Sequence, residues 1–393
     1  RGTSEYFYYL AKAKYWINNI IFPVKKKREE TVYLQTWHGT PLKKLGFDIE
    51  CDGPEKQAFG NLYKESQNWD YFLADNDYGA EKLVNAFRFK KTLIKEGYPI
   101  NDIFYNDKIK NQAIERLHRD YPAIEGKKVI VYAPTWRDLQ GDYVRGYDFE
   151  LPFSVEQLYE KFGDEYVVLV KLHHLIADSL EIDDKYKNFL LNVSGEEDVM
   201  QLLCIADILI TDYSSVFYDF ASAKKPILFY AYDLDEYINE TRGLYVGMDT
   251  LPGPILQDNE SLVNAIENIE QYDYEHDSKL RDFCDEMAKY CDGHSCEKVL
   301  NIVSNQRKKE NKLSIIIKVF EKYKNMLNEE EINMFNGLIE SYENQRIPFS
   351  TLEVVIKMYA TRFKDKDILN QTFFYPYPEN LINITDSGKG RKL

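Results

Sequence analysis

A chain of 393 residues with 44% apolar and 29% charged residues is an ordinary globular sequence, long enough for two domains and a smaller third, and not a disordered one. Its net charge of −15 argues against broad nucleic-acid binding, which needs a basic face. Its five scattered cysteines argue against a disulfide framework and favour a reducing compartment; no stretch reads as a transmembrane span or signal peptide, and a chain that opens on Arg1 reads as a fragment.

Glu5 to Phe22 predicts one aromatic-rich helix, stopped by Pro23. Core packing is the simpler reading. The competing one is an interfacial membrane helix, since Lys12 and Lys14 sit beside Tyr15 and Trp16 and the basic run Lys25 to Arg28 follows. A second set of lysines and arginines, Lys43, Lys44, Arg88, Lys90, Lys91 and Lys95, reads as solvated surface, with polyanion contact as the alternative.

Thr31 to Gln35 predicts a strand running into Trp37, His38, Gly39 and Thr40. A histidine at a strand's carboxyl end stands where open α/β sheets place ligands. Gly39 permits the tight turn and Pro41 fixes its exit. Tyr71 to Ala74, a helix from Tyr78 to Phe89, and Thr92 to Lys95 continue an alternation that implies a parallel sheet covered by helices.

A second such unit begins near Glu125 to Lys128. The strand Val129 to Ala133 ends in Pro134, Thr135, Trp136 and Arg137, and the strand Tyr166 to Lys171 ends in Leu172, His173 and His174. Ser194 and Glu197 fit a capping box. Ala206 to Tyr230 then reads as strand, polar turn (Thr211 to Ser215), helix (Val216 to Ala223) and strand. Taken alone, Ser214 or Ser215 is most simply an N-cap, with a phosphate cradle as the other reading. Three parallel strands ending in Arg137, His173 and Ser214 would bring a guanidinium, an imidazole and a helix N-terminus to one sheet edge, which turns the reading towards phosphate or pyrophosphate.

No GxGxxG and no GxxxxGK[ST] is present, which disfavours an ordinary dinucleotide oxidoreductase or P-loop ATPase. Asp212 and Asp219 could ligate a metal but fit cap or surface roles better, and Cys284, Cys291, His294 and Cys296 match no common zinc spacing. No cofactor is assigned, and no acidic cluster has the ligand spacing of a divalent-ion site.

After Gly293 the pattern becomes helical: Lys312 to Asn325, Glu329 to Tyr342 and Ser350 to Ala360, the last with a Ser350/Glu353 capping box. Gln306 to Asn311 reads as a linker, and the end around Phe373 to Pro378 as a frayed terminus.

The stretches YYLAKAKYWINN, YLQTWHGTPLKKLG, APTWRD, VKLHHLIAD, ADILITDYSSVFYDFA, KKPILFY, and RGLY followed by LPGPI resemble the CDP-glycerol glycerophosphotransferase family of bacterial teichoic acid and capsule polymerases, over roughly residues 6 to 296. The resemblance implies an α/β fold of GT-B type: two Rossmann-like domains facing across a cleft, here 1–125 for the acceptor and 126–305 for the CDP donor, with 306–393 as a helical appendage. It implies transfer of glycerol phosphate or ribitol phosphate from CDP-glycerol or CDP-ribitol to a lipid-linked polyol-phosphate or polysaccharide acceptor. Carried over, His38 is the base, His173 the second functional histidine near the pyrophosphate, Arg137 a pyrophosphate contact, and Ser214, Ser215 and Asp219 donor-site residues beside Thr211 and Gly39. His174 falls where the family more often has an aromatic residue. The family has more sheet before the first helix than Arg1 to Tyr6 supplies. The implied place is the bacterial cytoplasm, peripheral on the inner face of the membrane. The competing readings are a GT-B glycosyltransferase using a nucleotide sugar, and a non-catalytic domain binding a polyanion or membrane.

Overall fold

Short β-branched and aromatic runs separated by helical stretches have one economical solution, a parallel sheet with helical crossovers. The computed structural model describes residues 2–369 apart from 25, 51–53, 136–140, 143–145, 148, 174–175, 241–242 and 345. Two compact units form, Arg1–Val303 and Ser304–Leu393.

The first unit holds two parallel sheets. One has four strands in the order β1 (Tyr15–Asn18), β2 (Val32–Gln35), β3 (Tyr71–Ala74), β4 (Thr92–Lys95), with helices α1 (Ser4–Lys12), α2 (Pro54–Ser66) and α3 (Asp77–Phe87). The chain then passes through α4 (Asp107–Asp120) into β5 (Lys128–Tyr132) and a small antiparallel pair, β6 (Gly141–Asp142) with β7 (Gly146–Tyr147). Next come α5 (Val155–Phe162), β8 (Tyr166–Val170), β9 (Leu190–Asn192), α6 (Val199–Ile205), β10 (Ile208–Thr211), α7 (Val216–Phe220), β11 (Ile227–Tyr230), α8 (Leu234–Glu240), β12 (Ile255–Leu256), α9 (Asn259–Glu267) and α10 (Ser278–Met287). The second sheet is six-stranded, in the order β12-β11-β10-β5-β8-β9.

Both faces of the six-stranded sheet are buried. Val129, Val131, Leu169, Leu209 and Phe229 pack with α6, α7 and α10 residues, while the alternate positions Ile130, Tyr132, Val168, Ile210 and Leu228 pack with α5 and α9 residues. That is why its strands read as unbroken apolar runs. On one face of the smaller sheet Trp16, Tyr33, Trp37, Phe59, Trp69, Phe72 and Phe87 form a single aromatic core. Burying each such ring stabilises the fold by about 3 kcal/mol.

Several expectations fail for local reasons. Glu5 to Phe22 is not one helix: α1 ends at Lys12, and Tyr15–Asn18 becomes an edge strand in register with Val32–Gln35. Trp16 is buried there and its indole N–H donates to the Leu10 carbonyl at 2.9 Å, so tertiary pairing overrides a helix-compatible composition. Arg28 donates to the carbonyls of Lys12 and Ala13 at the end of α1, and Lys27 pairs with Asp70 at 3.0 Å, so these members of the basic run hold the fold. Ser194 caps no helix: α6 starts later with Asp198 as its cap, and the Ser194 hydroxyl accepts the Leu172 N–H at 3.0 Å. The helix expected to run to Ala223 ends at Phe220, and Ala221–Ala223 tightens into a 3₁₀ turn.

Gln306 to Asn311 is no linker, because the backbone is helical throughout α11 (Ser295–Tyr323). In the second unit α11 residues, α12 (Glu329–Glu343), α13 (Phe349–Arg362) and α14 (Lys366–Leu369) enclose a core of Ile316, Phe320, Phe335, Leu352 and Ile356. The Ser350/Glu353 box does not form: α13 starts at Phe349 after Pro348, and the capping box of this unit is Asn328 with Glu331. The expected frayed end, Phe373 to Pro378, lies outside the described residues.

Candidate active site

Strands of the smaller sheet deliver their carboxyl ends to one edge, and β2 exits there as Thr36, Trp37, His38, Gly39 and Thr40. The turn is tight: Trp37 has φ +58° and Gly39 φ +131°, both in the left-handed region. Strain at Trp37, a bulky residue, persists because its ring is locked among Trp69, Phe72 and Phe87. Its backbone N–H donates to Gln35 Oε1 at 2.8 Å, and the same carboxamide donates to the Ile20 carbonyl at 2.6 Å.

On this support His38 is exposed, with its ring stacked on Trp37 at 4.4 Å. Its Nδ1 lies 2.8 Å from the Asn19 carbonyl oxygen. A carbonyl only accepts, so Nδ1 carries the hydrogen and Nε2 keeps its lone pair. The residue that orients the imidazole thus comes from the loop after β1.

The six-stranded sheet supplies the other residues. His173 follows β8, exposed. After β10, Asp212 Oδ1 accepts the Thr135 N–H at 2.7 Å, which ties the end of β5 to the Ser214–Ser215 turn. Ser215 occupies the cap position of α7 without a capping side-chain bond, and Ser214 Oγ reaches only 3.4 Å from the Val216 N–H, so the capping reading is largely unrealised.

A cavity of about 450 Å³ joins the two sets. His38, Gly39, Thr40 and Lys43 line it from one sheet, and Thr135, Lys171, His173, Ser214 and Ser215 from the other. The halves approach closely at Gly39: a methyl group there would come 3.7 Å from Ser215 Oγ and 3.9 Å from Asp219 Oδ2. Thr211 is not part of the lining. It is fully buried, and its hydroxyl donates to the Ala133 carbonyl at 2.7 Å, bracing β10 against the end of β5. Arg137 and His174 lie outside the described residues.

Two lysines of the lining went unassigned in the sequence. Lys171 Nζ donates to the carbonyls of Ser194 and Glu196 at 2.9 and 2.6 Å, and burial lowers its pKa. Lys43 Nζ lies 5.2 Å from the centre of the Tyr237 ring, which in turn stacks on Tyr213 at 3.6 Å. Lys43 sits within the TPLKKL stretch, so the signal was present, but no spacing separates it from the other lysines. Among the described residues no three His, Cys, Asp or Glu side chains converge as a metal-binding group.

A short backbone clip crosses between the sheets. Lys44 N–H donates to the Gly243 carbonyl and Tyr245 N–H to the Leu42 carbonyl, each at 2.9 Å. This gives the Gly243–Tyr245 part of the RGLY stretch a structural place beside the cavity.

Residues 1–305 match the family model described as CDP-glycerol:poly(glycerophosphate) glycerophosphotransferase, and residues 286–378 match a model for a family of unknown function. The teichoic acid poly(glycerol phosphate) polymerase of Bacillus subtilis strain 168 is 39% identical over 77% of this chain, which spans 41% of that protein. The teichoic acid glycerol-phosphate transferase of Staphylococcus aureus strain NCTC 8325 is 36% identical, with 77% of this chain and 78% of that protein covered. The solved wall teichoic acid polymerase TagF aligns with TM-score 0.72 and 33% identity over 79% of this chain and 77% of its own. Across the TagF crystals the TM-score runs from 0.69 to 0.72. The α/β fold, the motifs and the matched length agree, and the chain belongs to the CDP-glycerol:poly(glycerophosphate) glycerophosphotransferase family.

Proposed function

We propose that this chain transfers glycerol phosphate or ribitol phosphate from its CDP-activated donor to a hydroxyl of a lipid-linked or growing wall or capsule polymer, releasing CMP. The observation that carries the reading is the one cavity lined by His38 from the first sheet and by His173, Ser214 and Ser215 from the second. In this reading the parts act as a GT-B enzyme, with 1–125 as acceptor domain, 126–305 as donor domain and 306–393 as appendage.

His38 Nε2 takes the proton of the acceptor hydroxyl as its oxygen attacks the polyol-bearing phosphorus. The bond from that phosphorus to the bridging oxygen breaks, and CMP leaves with the electron pair. Charge spreads onto the phosphoryl oxygens, where His173 and the hydroxyls of Ser214 and Ser215 donate and the Lys43 and Lys171 ammonium groups keep the local potential positive. Arg137 belongs to the same donor set, Asp219 borders it, and Gly39 lets the base approach without a side chain in the way.

Among the described residues no helix is long and apolar enough to cross a membrane. We propose peripheral contact with the inner face of the bacterial membrane, supported by Phe7, Tyr8 and Tyr9, which are 42%, 53% and 63% exposed on α1.

A donor panel of CDP-glycerol, CDP-ribitol and UDP-hexoses with a lipid-linked acceptor, read as released nucleotide, tests the assignment. CMP from a CDP-polyol is expected. UMP or UDP from a hexose donor, with no CMP from either polyol donor, overturns it. Sedimentation with anionic vesicles tests the membrane contact.

A further inference from the structure

Lys171 is held in an unusual way for a lysine of the cavity wall. It follows β8, its backbone N–H donates to the Tyr132 carbonyl of β5 at 2.9 Å, and it lines the cavity with His173. Its Nζ donates to two carbonyls of the loop between β9 and α6, Ser194 at 2.9 Å and Glu196 at 2.6 Å. An ammonium group carries three donors. Among the described residues the third has no protein acceptor and no carboxylate pairs with Lys171, so one N–H and the whole positive charge remain for an occupant of the cavity.

The two carbonyls are themselves fixed. Ser194 Oγ accepts the Leu172 N–H at 3.0 Å, and the Ser194 N–H donates to Asn192 Oδ1 at 3.0 Å. Glu196 is gripped from α4, outside the cavity lining: its Oε2 accepts from Arg116 Nη2 at 2.7 Å and its Oε1 from the Tyr121 hydroxyl at 2.8 Å. Arg116 also donates to Gln201 Oε1 of α6 at 3.1 Å and to Asp120 Oδ2 at 3.3 Å, so its guanidinium is held flat against the loop. The side chains of Arg116 and Glu196 are 32% and 13% exposed, shielded enough to keep one geometry where a fully solvated pair would not. A chain of contacts thus runs from Arg116 through the Glu196 side chain to its carbonyl, and from there to the Lys171 ammonium.

We propose that Lys171 contacts the phosphoryl oxygens of the donor directly through its third N–H, and that Arg116 and Glu196 are positioning residues that aim it. The identity of the donor rests on the polyol-phosphate reading above, whereas the contact itself needs only a pyrophosphate. A lysine stem loses about 2 kcal/mol of rotamer freedom when it is fixed. Two carbonyls that fix it before the ligand arrives remove that cost from binding. Burial lowers the Lys171 pKa and the Glu196 charge opposes the fall, so the same clamp helps to keep the ammonium protonated.

The test is calorimetric titration of the intact chain with inorganic pyrophosphate, in a double-mutant cycle. Lys171→Met is expected to weaken binding about tenfold, the loss of one charge-assisted bond. Arg116→Met alone is expected to weaken it about threefold, and Arg116→Met added to Lys171→Met to weaken it no further, since Arg116 acts through Lys171. Circular dichroism checks the fold of each variant. A role of Arg116 in stability alone would appear in urea unfolding and leave the pyrophosphate cycle additive. Additive losses, about thirtyfold in the double variant, overturn the positioning role. No binding of pyrophosphate by the unsubstituted chain, or unchanged binding in folded Lys171→Met, overturns the phosphoryl contact. A failure of the polyol-phosphate reading shows separately, as the wrong nucleotide released in the donor panel, and leaves the pyrophosphate titration unmoved.

Discussion

The Tyr245 hydroxyl donates to Asp48 Oδ2 at 2.6 Å across 197 residues of sequence and accepts the Leu45 N–H at 3.2 Å. With the backbone pairs at Leu42 and Lys44 it fastens the RGLY loop to the segment that carries Lys43 into the cavity. Tyr245→Phe removes one charge-assisted bond and leaves the Leu45 N–H without it, a loss of about 2 kcal/mol. Urea unfolding checks the stability, and KM for the donor is expected to rise more than kcat falls.

His38→Ala is expected to lower kcat by about 10³-fold with the melting temperature unchanged, because the ring is exposed and its partner is a single backbone carbonyl. Retained turnover with a folded protein would remove His38 from the base role. Gly39→Ala should also fail catalytically, since φ +131° is strained for any residue with a Cβ.

Lys43→Met keeps most of the side chain's length and removes its charge. Donor KM is expected to rise about tenfold, as loss of one close charge on an anionic ligand costs about 1.4 kcal/mol. The salt dependence of KM should flatten in the variant, a readout that damage to packing would not produce.

Glu65 is buried between two donors, Tyr33 hydroxyl at 2.6 Å and Trp69 Nε1 at 2.5 Å. Glu65→Ala leaves both without an acceptor in the aromatic core and is expected to destabilise by about 3 kcal/mol. Desolvation raises the Glu65 carboxyl despite these bonds. A carboxyl whose pKa is higher folded than unfolded disfavours the folded state as pH rises from the unfolded value through the folded one. Burial raises the Asp75 and Asp219 carboxyls in the same sense, to about 6 and about 8. Thermal midpoints of the intact chain are therefore expected to decline from pH 5 to about 8, and Asp219→Asn to reduce that decline.

The strands β2, β3, β5, β8, β10 and β11 were legible within a residue or two because each is a mostly buried, largely apolar run with a polar break, and β4, where only Ile94 is buried, was legible from the strand–helix alternation. The positions of His38, His173, Ser214 and Ser215 at strand ends followed from the parallel order alone. What the sequence hid depends on partners far along the chain. Tyr15–Asn18 is a strand only because Val32–Gln35 lies beside it, and the misplaced helix in turn concealed Asn19, whose carbonyl fixes the His38 tautomer. Thr211 stands beside site residues in sequence, yet its side chain alternates to the inside of the sheet. Arg116 and Glu196 carry no motif at all, and their interest arises from the Glu196 carbonyl that meets Lys171, which no spacing reveals.

Trp37 and His38 are adjacent in the chain, one indole sunk in the aromatic core and one imidazole lying on it. The orientation of the His38 ring is therefore a readout of how well that core is ordered. Loosening the packing around Trp69 and Phe87 would release the strained turn before the strands part. Under mild denaturant, turnover should vanish together with the near-ultraviolet signal of the tryptophans while far-ultraviolet helix and strand signals persist.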